Sequence, residues 1–190
     1  YGLVGSEMCI RDRVGMASIK YLPALTDLAR AGEVIRRAVS PGDTLMLGEY
    51  GPLAPIAFFN GLSKLHAGKI FLELITKNKN RDLVRSFMTT AAASGFQGVV
   101  IATGVLKKED YMARPVYDID PTQVLKMAID MRASGLLPKT FTIGIRTASG
   151  CCAVIERARY LVDNGADFLA SRGEKIEEFR NLTVAIEEIG

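Results

Sequence analysis

Short apolar or β-branched runs alternate along this chain with longer segments whose apolar residues recur at helical spacing. Six runs read as strands: 18–22, 44–48, 70–76, 98–103, 141–145 and 166–170. Between them, 27–39 places Leu28, Ala31, Val34, Ile35 and Ala38 on one helical face, and 55–66, 81–94, 122–134, 153–164 and 174–189 follow the same rule. Gly95, Gly135 and Gly165 each stand where a helix needs a left-handed stop. Asp120-Pro121-Thr122 reads as a helix start, with Asp as cap and Pro in the first turn.

Strand starts recur about every 26 residues, except for one longer interval after the fourth strand. Repeated βα units make a parallel sheet with right-handed crossovers. No Gly-x-Gly-x-x-Gly and no Walker loop occurs, which removes the main signals of the nucleotide-binding open sheets. The regular period favours an α/β fold of the (β/α)8 TIM-barrel type, incomplete, with about six βα units where a full barrel has ~250 residues. Six strands cannot close an eight-stranded barrel. Open edges at the first and last strands, and association between copies through them, are therefore expected. The insertion at 104–120 follows a strand carboxyl end, where such folds carry function.

Composition narrows the chemistry. The 190 residues are 48% hydrophobic and 24% charged, which excludes disorder as the dominant state. A net charge of +3, with no run of five like charges, argues against nucleic acid as a partner. No apolar run reaches the ~18 residues of a membrane span. Three cysteines, two of them the adjacent Cys151 and Cys152, exclude a disulfide framework and fit reducing cytoplasm. The single histidine, His66, excludes a zinc centre built on several histidines, and no metal site is expected. His66 ends a helical stretch, where a cationic imidazole suits the dipole. The chain begins at Tyr1, and residues 1–13 resemble translated sequencing-adapter read-through. They are set aside as a non-native scar, leaving 14–190 as a partial barrel domain.

Several runs then point to a family. Leu74-Ile-Thr-Lys-Asn-Lys-Asn-Arg-Asp82, Gly98-Val-Val-Ile-Ala-Thr-Gly104, Pro115-Val-Tyr-Asp-Ile-Asp-Pro-Thr-Gln-Val-Leu125 and Arg159-Tyr-Leu-Val-Asp-Asn-Gly-Ala-Asp-Phe168 resemble, in order, segments of the methylenetetrahydrofolate reductase family of flavin-dependent barrels. The resemblance implies hydride transfer from NAD(P)H through FAD to a folate one-carbon unit. It places Lys20 where the family has its acid, and Glu73 where it has His or Gln near the flavin. It puts Arg172 at the substrate-facing position of the folate. Val105 and Leu161 replace polar family residues, so a degenerate paralogue is the alternative: a pterin- or flavin-binding or scaffold subunit of the same barrel. A pterin-dependent methyltransferase barrel is a third option.

The remaining candidates carry two readings each. Glu73 shares a strand face with Phe71 and Ile75, either towards the barrel interior as a buried carboxylate or towards the helices as a paired surface group. Glu49 ends the second strand, either lining the barrel mouth as a cofactor contact or in a solvated loop. Thr103 and Gly104 make a tight turn that either meets a phosphate or flavin edge with backbone N–H groups or is structural. Tyr117 and Asp118 lie in the long insertion, on the cofactor side in the functional reading. Arg146 and Thr147 end the fifth strand, where Arg either binds an anion or pairs with a neighbouring acid. Lys77-Asn-Lys-Asn-Arg81 reads as a solvated basic loop, and Asn80 to Asp82 as a helix start.

Overall fold

The computed structural model describes residues 5–11, 16–22, 32–33, 35–37, 39–48, 55–104, 116–147 and 154–172. Seven strands occur among them: β1 (Gly5–Arg11), β2 (Met16–Leu22), β3 (Thr44–Leu47), β4 (Ile70–Ile75), β5 (Gly98–Ala102), β6 (Thr142–Arg146) and β7 (Phe168–Arg172). Four helices alternate with the later strands: α1 (Pro55–Leu62), α2 (Arg81–Ser94), α3 (Pro121–Ala133) and α4 (Val154–Asp163). Strands β2 to β7 pair in parallel in chain order. Four strands, β3 to β6, are each followed by a described helix. Residues 32–33 and 35–37 are helical within the expected 27–39 segment, and 174–189 lies outside the described residues.

The expected open edges are not found. Gly5–Arg11, within the stretch set aside as foreign, pairs antiparallel with β2 on one side and β7 on the other. The sheet thereby closes into a barrel of seven strands in the order β1 to β7. Closure removes the rows of unpaired backbone groups that a six-stranded sheet would present.

Alternation along the strands splits the core in two. Leu45, Leu47, Leu72, Leu74, Val99, Ile101, Ile143, Ile145 and Leu169 point outward and pack against helical residues including Val84, Met88, Ala91, Leu125, Ala128 and Leu161. The inner cluster is Ile19, Met46, Phe71, Val100, Phe168 and Ala170. A strand buried on both faces reads as a continuous apolar run, as in β4, where all six residues are buried. Inside, the Phe71 and Phe168 rings lie 5.4 Å apart. Gly144 is what admits the second ring, since a Cβ there would stand 2.2 Å from Phe168 Cζ.

Local chemistry places the elements. Asn80 caps α2, its side chain accepting from Leu83 N, and Gly95 ends it at φ 99. Asp120 opens α3 with a capping box completed by Gln123. Helix α1 stops at Leu62, short of the expected 66. His66 is buried beyond it, and its Nε2–H donates to the Asp43 carbonyl at 2.8 Å. His66 thus ties the turn before β3 to the segment after α1, which corrects its reading as a helix-end cation. Asp167 accepts from Arg132 Nη1 at 2.6 Å and from Ile143 N at 2.7 Å, fixing α3 to the starts of β6 and β7. No helix among the described residues is long and apolar enough to cross a membrane.

Candidate active site

A charge pair interrupts the apolar interior of the barrel. Glu73 belongs to the inner face of β4 with Phe71, and its side chain is 2% exposed. Arg146, on the inner face of β6 beyond Gly144, reaches it with Nη2 3.0 Å from Oε1. Glu73 thus faces the interior as a buried carboxylate, and Arg146 is paired with it. Removing both charges from water costs more than an apolar pair of equal volume would, so such a pair is weak support for stability. Charged groups inside a barrel, near the carboxyl ends of its parallel strands, are instead what a site requires.

Further polar groups gather at those carboxyl ends. Beyond β4, Thr76 to Lys79 form a turn closed by Lys79 N donating to the Thr76 carbonyl, with Asn78 at φ 67. The turn carries two buried lysines, Lys77 and Lys79. Lys79 Nζ donates to the Ile75 carbonyl at 2.8 Å and stands 5.3 Å from the Phe87 ring centroid, so it secures the turn to α2. Lys77 is 8% exposed, and its ammonium has no hydrogen bond or ion pair among the described residues. Its backbone N–H donates to the carbonyl of Thr103 at 3.2 Å, which brings it beside the β5 end. Thr103 is exposed there and Gly104 adopts φ 85. Thr147 follows Arg146 and is buried, and its Oγ1 makes no hydrogen bond among the described residues.

The other candidates stand apart from this group. Tyr117 is 68% exposed. Asp118 accepts from Arg81 N at 2.9 Å and Arg81 Nη2 donates to its carbonyl, so it helps cap α2. Lys20 pairs in register with Leu45, a residue of the outer cluster, and Arg172 with Glu7 of β1. The side chains of Lys20 and Arg172 lie outside the described residues, as does Glu49. Lys77 was missed because a lysine in a basic run reads as solvent-facing. Strand parity could not place it, since β4 ends at Ile75 and Lys77 lies in the turn beyond.

No family model matches the chain, and no curated protein matches it. Solved structures do. A trigonal crystal form of 2,3-dimethylmalate lyase, a PEP mutase/isocitrate lyase superfamily member, superimposes with a TM-score of 0.58 at 15% identity. That match covers 86% of this chain and 60% of the other. A triclinic form of the same enzyme gives 0.51 at 16% identity, covering 77% and 55%. The likeness is one of fold. The chain spans less than two thirds of the length of these enzymes.

These findings overturn the methylenetetrahydrofolate reductase resemblance. The structures that share the fold carry the name of a lyase superfamily. FAD, NAD(P)H, the folate substrate and the pterin- or flavin-binding scaffold alternative fall with it. The physical reason lies in the runs that carried the resemblance. Asn80 to Asp82 and Asp120 to Gln123 are helix starts. Arg159 to Gly165 is the end of α4 with its stop, Gly165 at φ 92, and Leu161 is buried in the outer core. Caps, stops and inward-facing apolar residues recur wherever a helix joins a parallel strand, so they mark the architecture and no cofactor.

Proposed function

We propose that this chain is a lyase-type barrel that cleaves a carbon–carbon bond in a small hydroxy-dicarboxylic acid at the carboxyl-terminal mouth of its sheet. The observation that carries the reading is the buried Glu73–Arg146 pair at that end. The fold match to a 2,3-dimethylmalate lyase supplies the reaction class. Arg146, oriented by Glu73, carries the planar guanidinium fork that suits a carboxylate. Lys77 adds a second positive charge beside the β5 end. Cleavage breaks the bond between the hydroxyl-bearing carbon and its carboxylate-bearing neighbour. The hydroxyl gives up its proton as its carbon becomes the 2-oxo carbonyl, the bonding pair stays on the departing carbon, and that carbon then takes up a proton. Preorganised cations serve by stabilising the transient negative charge where water is excluded. Thr147 and the Thr103–Gly104 turn complete the rim. Among the described residues no group of three His, Cys, Asp or Glu side chains gathers to hold a metal ion. On the same reading, β2 to β7 are six units of an eight-unit (β/α)8 pattern, and residues 1–13 are foreign in origin although Gly5–Arg11 within them completes the sheet.

The test is an assay of the purified chain on 2,3-dimethylmalate and related 2-hydroxy dicarboxylates, following the 2-oxo acid product as its hydrazone. Turnover is expected. Arg146→Lys keeps a cation against Glu73 but loses the planar fork, and should lower kcat/KM by roughly ten- to a hundredfold. Absence of 2-oxo acid from every acid in the panel, with no heat of binding for any of them, sinks the reading.

A further inference from the structure

The opposite mouth of the barrel holds a cavity of about 360 Å³, lined by Ile19, Phe71 and Phe168 on one side and Thr44, Lys69 and Thr142 on the other, with Gln97 in its wall. Its origin lies in strand parity. Thr44, Lys69 and Thr142 each stand two residues before an inner-face residue: Met46, Phe71 and Gly144. They therefore form the lowest inner layer, which bulky branched apolar residues fill in a well-packed barrel. Two threonines and a lysine leave that layer open beneath the Phe71–Phe168 pair.

The lining has a definite chemistry. Its inner side is apolar and aromatic. Its rim carries two hydroxyls and one ammonium, none of which has a protein partner among the described residues. Among the described residues no carboxylate lines the cavity. Gln97 is already engaged, accepting from Ile70 N at 2.7 Å and donating to the Gly95 carbonyl at 2.8 Å, so it serves as wall. The volume falls at the small end of the range for ligand sites, ~300–1,000 Å³. We propose that this amino-terminal mouth is a second binding site, for a small aromatic monocarboxylate. The ring lies against Phe71 and Phe168, and the carboxylate meets Lys69 and the two threonine hydroxyls.

The site is independent of the chemistry proposed at the carboxyl-terminal mouth. Titration of the full chain with phenylacetate, by calorimetry and saturation-transfer NMR, is expected to show saturable one-to-one binding with ring protons saturated. Benzyl alcohol, which lacks the charge, should bind more weakly. Lys69→Met should weaken phenylacetate by about tenfold, the scale of one charge-assisted hydrogen bond. Thr142→Phe should abolish binding by filling the cavity. Should that variant not fold, Lys69→Met alone still decides, because Lys69 is exposed and its loss leaves the core untouched. An excess of 2,3-dimethylmalate should not displace phenylacetate. Three results overturn the proposal: no saturable binding, affinity unchanged by Lys69→Met, or displacement by the dicarboxylate.

Discussion

Inside the barrel the Glu73 carboxylate is 2% exposed and the Arg146 guanidinium side chain 17%. Losing one partner leaves the other charged and dry, which costs about 3–5 kcal/mol. Losing both can cost nothing. Glu73→Leu alone should therefore lower the unfolding free energy in urea by several kcal/mol, on the order of that cost. The double variant Glu73→Leu/Arg146→Met should recover most of the loss while remaining inactive. A double variant as unstable as the single would mean that the pair holds the barrel together. Strand parity made Glu73 legible as an inner-face candidate before any coordinates. Its partner was not legible, because β4 and β6 are joined by no local pattern. Lys77 was obscured differently: exposure depends on what folds over a residue, and residue type alone does not report it.

Element boundaries were legible to within about two residues for the six parallel strands, because punctuation by Gly, Pro, Asp and Asn is local chemistry. Helix α3 is the clearest case. Asp120 Oδ1 accepts from Thr122 N at 2.7 Å and Gln123 N at 2.9 Å, and Gln123 Oε1 accepts from Asp120 N. Asp120→Ala should destabilise the protein by about 1 kcal/mol, and Asp120→Ser should restore most of it. The check is the urea midpoint at constant m-value. An unchanged midpoint would show that tertiary packing of Val124, Leu125, Ala128 and Met131 alone holds the helix start. Helix α1 was less legible, since its apolar pattern continues past Leu62 while the backbone turns away. The turn follows from His66 reaching a carbonyl across 23 residues of chain, a contact no window of sequence contains. The same locality explains the mistaken family resemblance: the matching runs were caps and joints, repeated by any βα architecture.

At the scale of the molecule, barrel closure depends on the strand that pattern reading excluded. Strand β1 exchanges register with β2 from Gly5 opposite Tyr21 to Ile10 opposite Met16, and with β7 from Glu7 opposite Arg172 to Arg11 opposite Phe168. Two parallel edges thus meet one antiparallel insert. The period of the βα units made six parallel strands legible. It could not reveal a seventh strand that follows no period and runs the other way. Removing residues 1–13 should uncover β2 and β7 along their length. Two exposed edges in a six-stranded sheet are a template for pairing with another copy. The truncated chain is expected to melt at a lower temperature than the full chain and to elute as dimers or larger species in light-scattering chromatography. Mixing it with a synthetic peptide of residues 1–13 should return its elution to that of the full chain. A truncated chain that stays monomeric, with an unchanged melting temperature, would show that Gly5–Arg11 contributes nothing to the barrel and that the six parallel strands close without it.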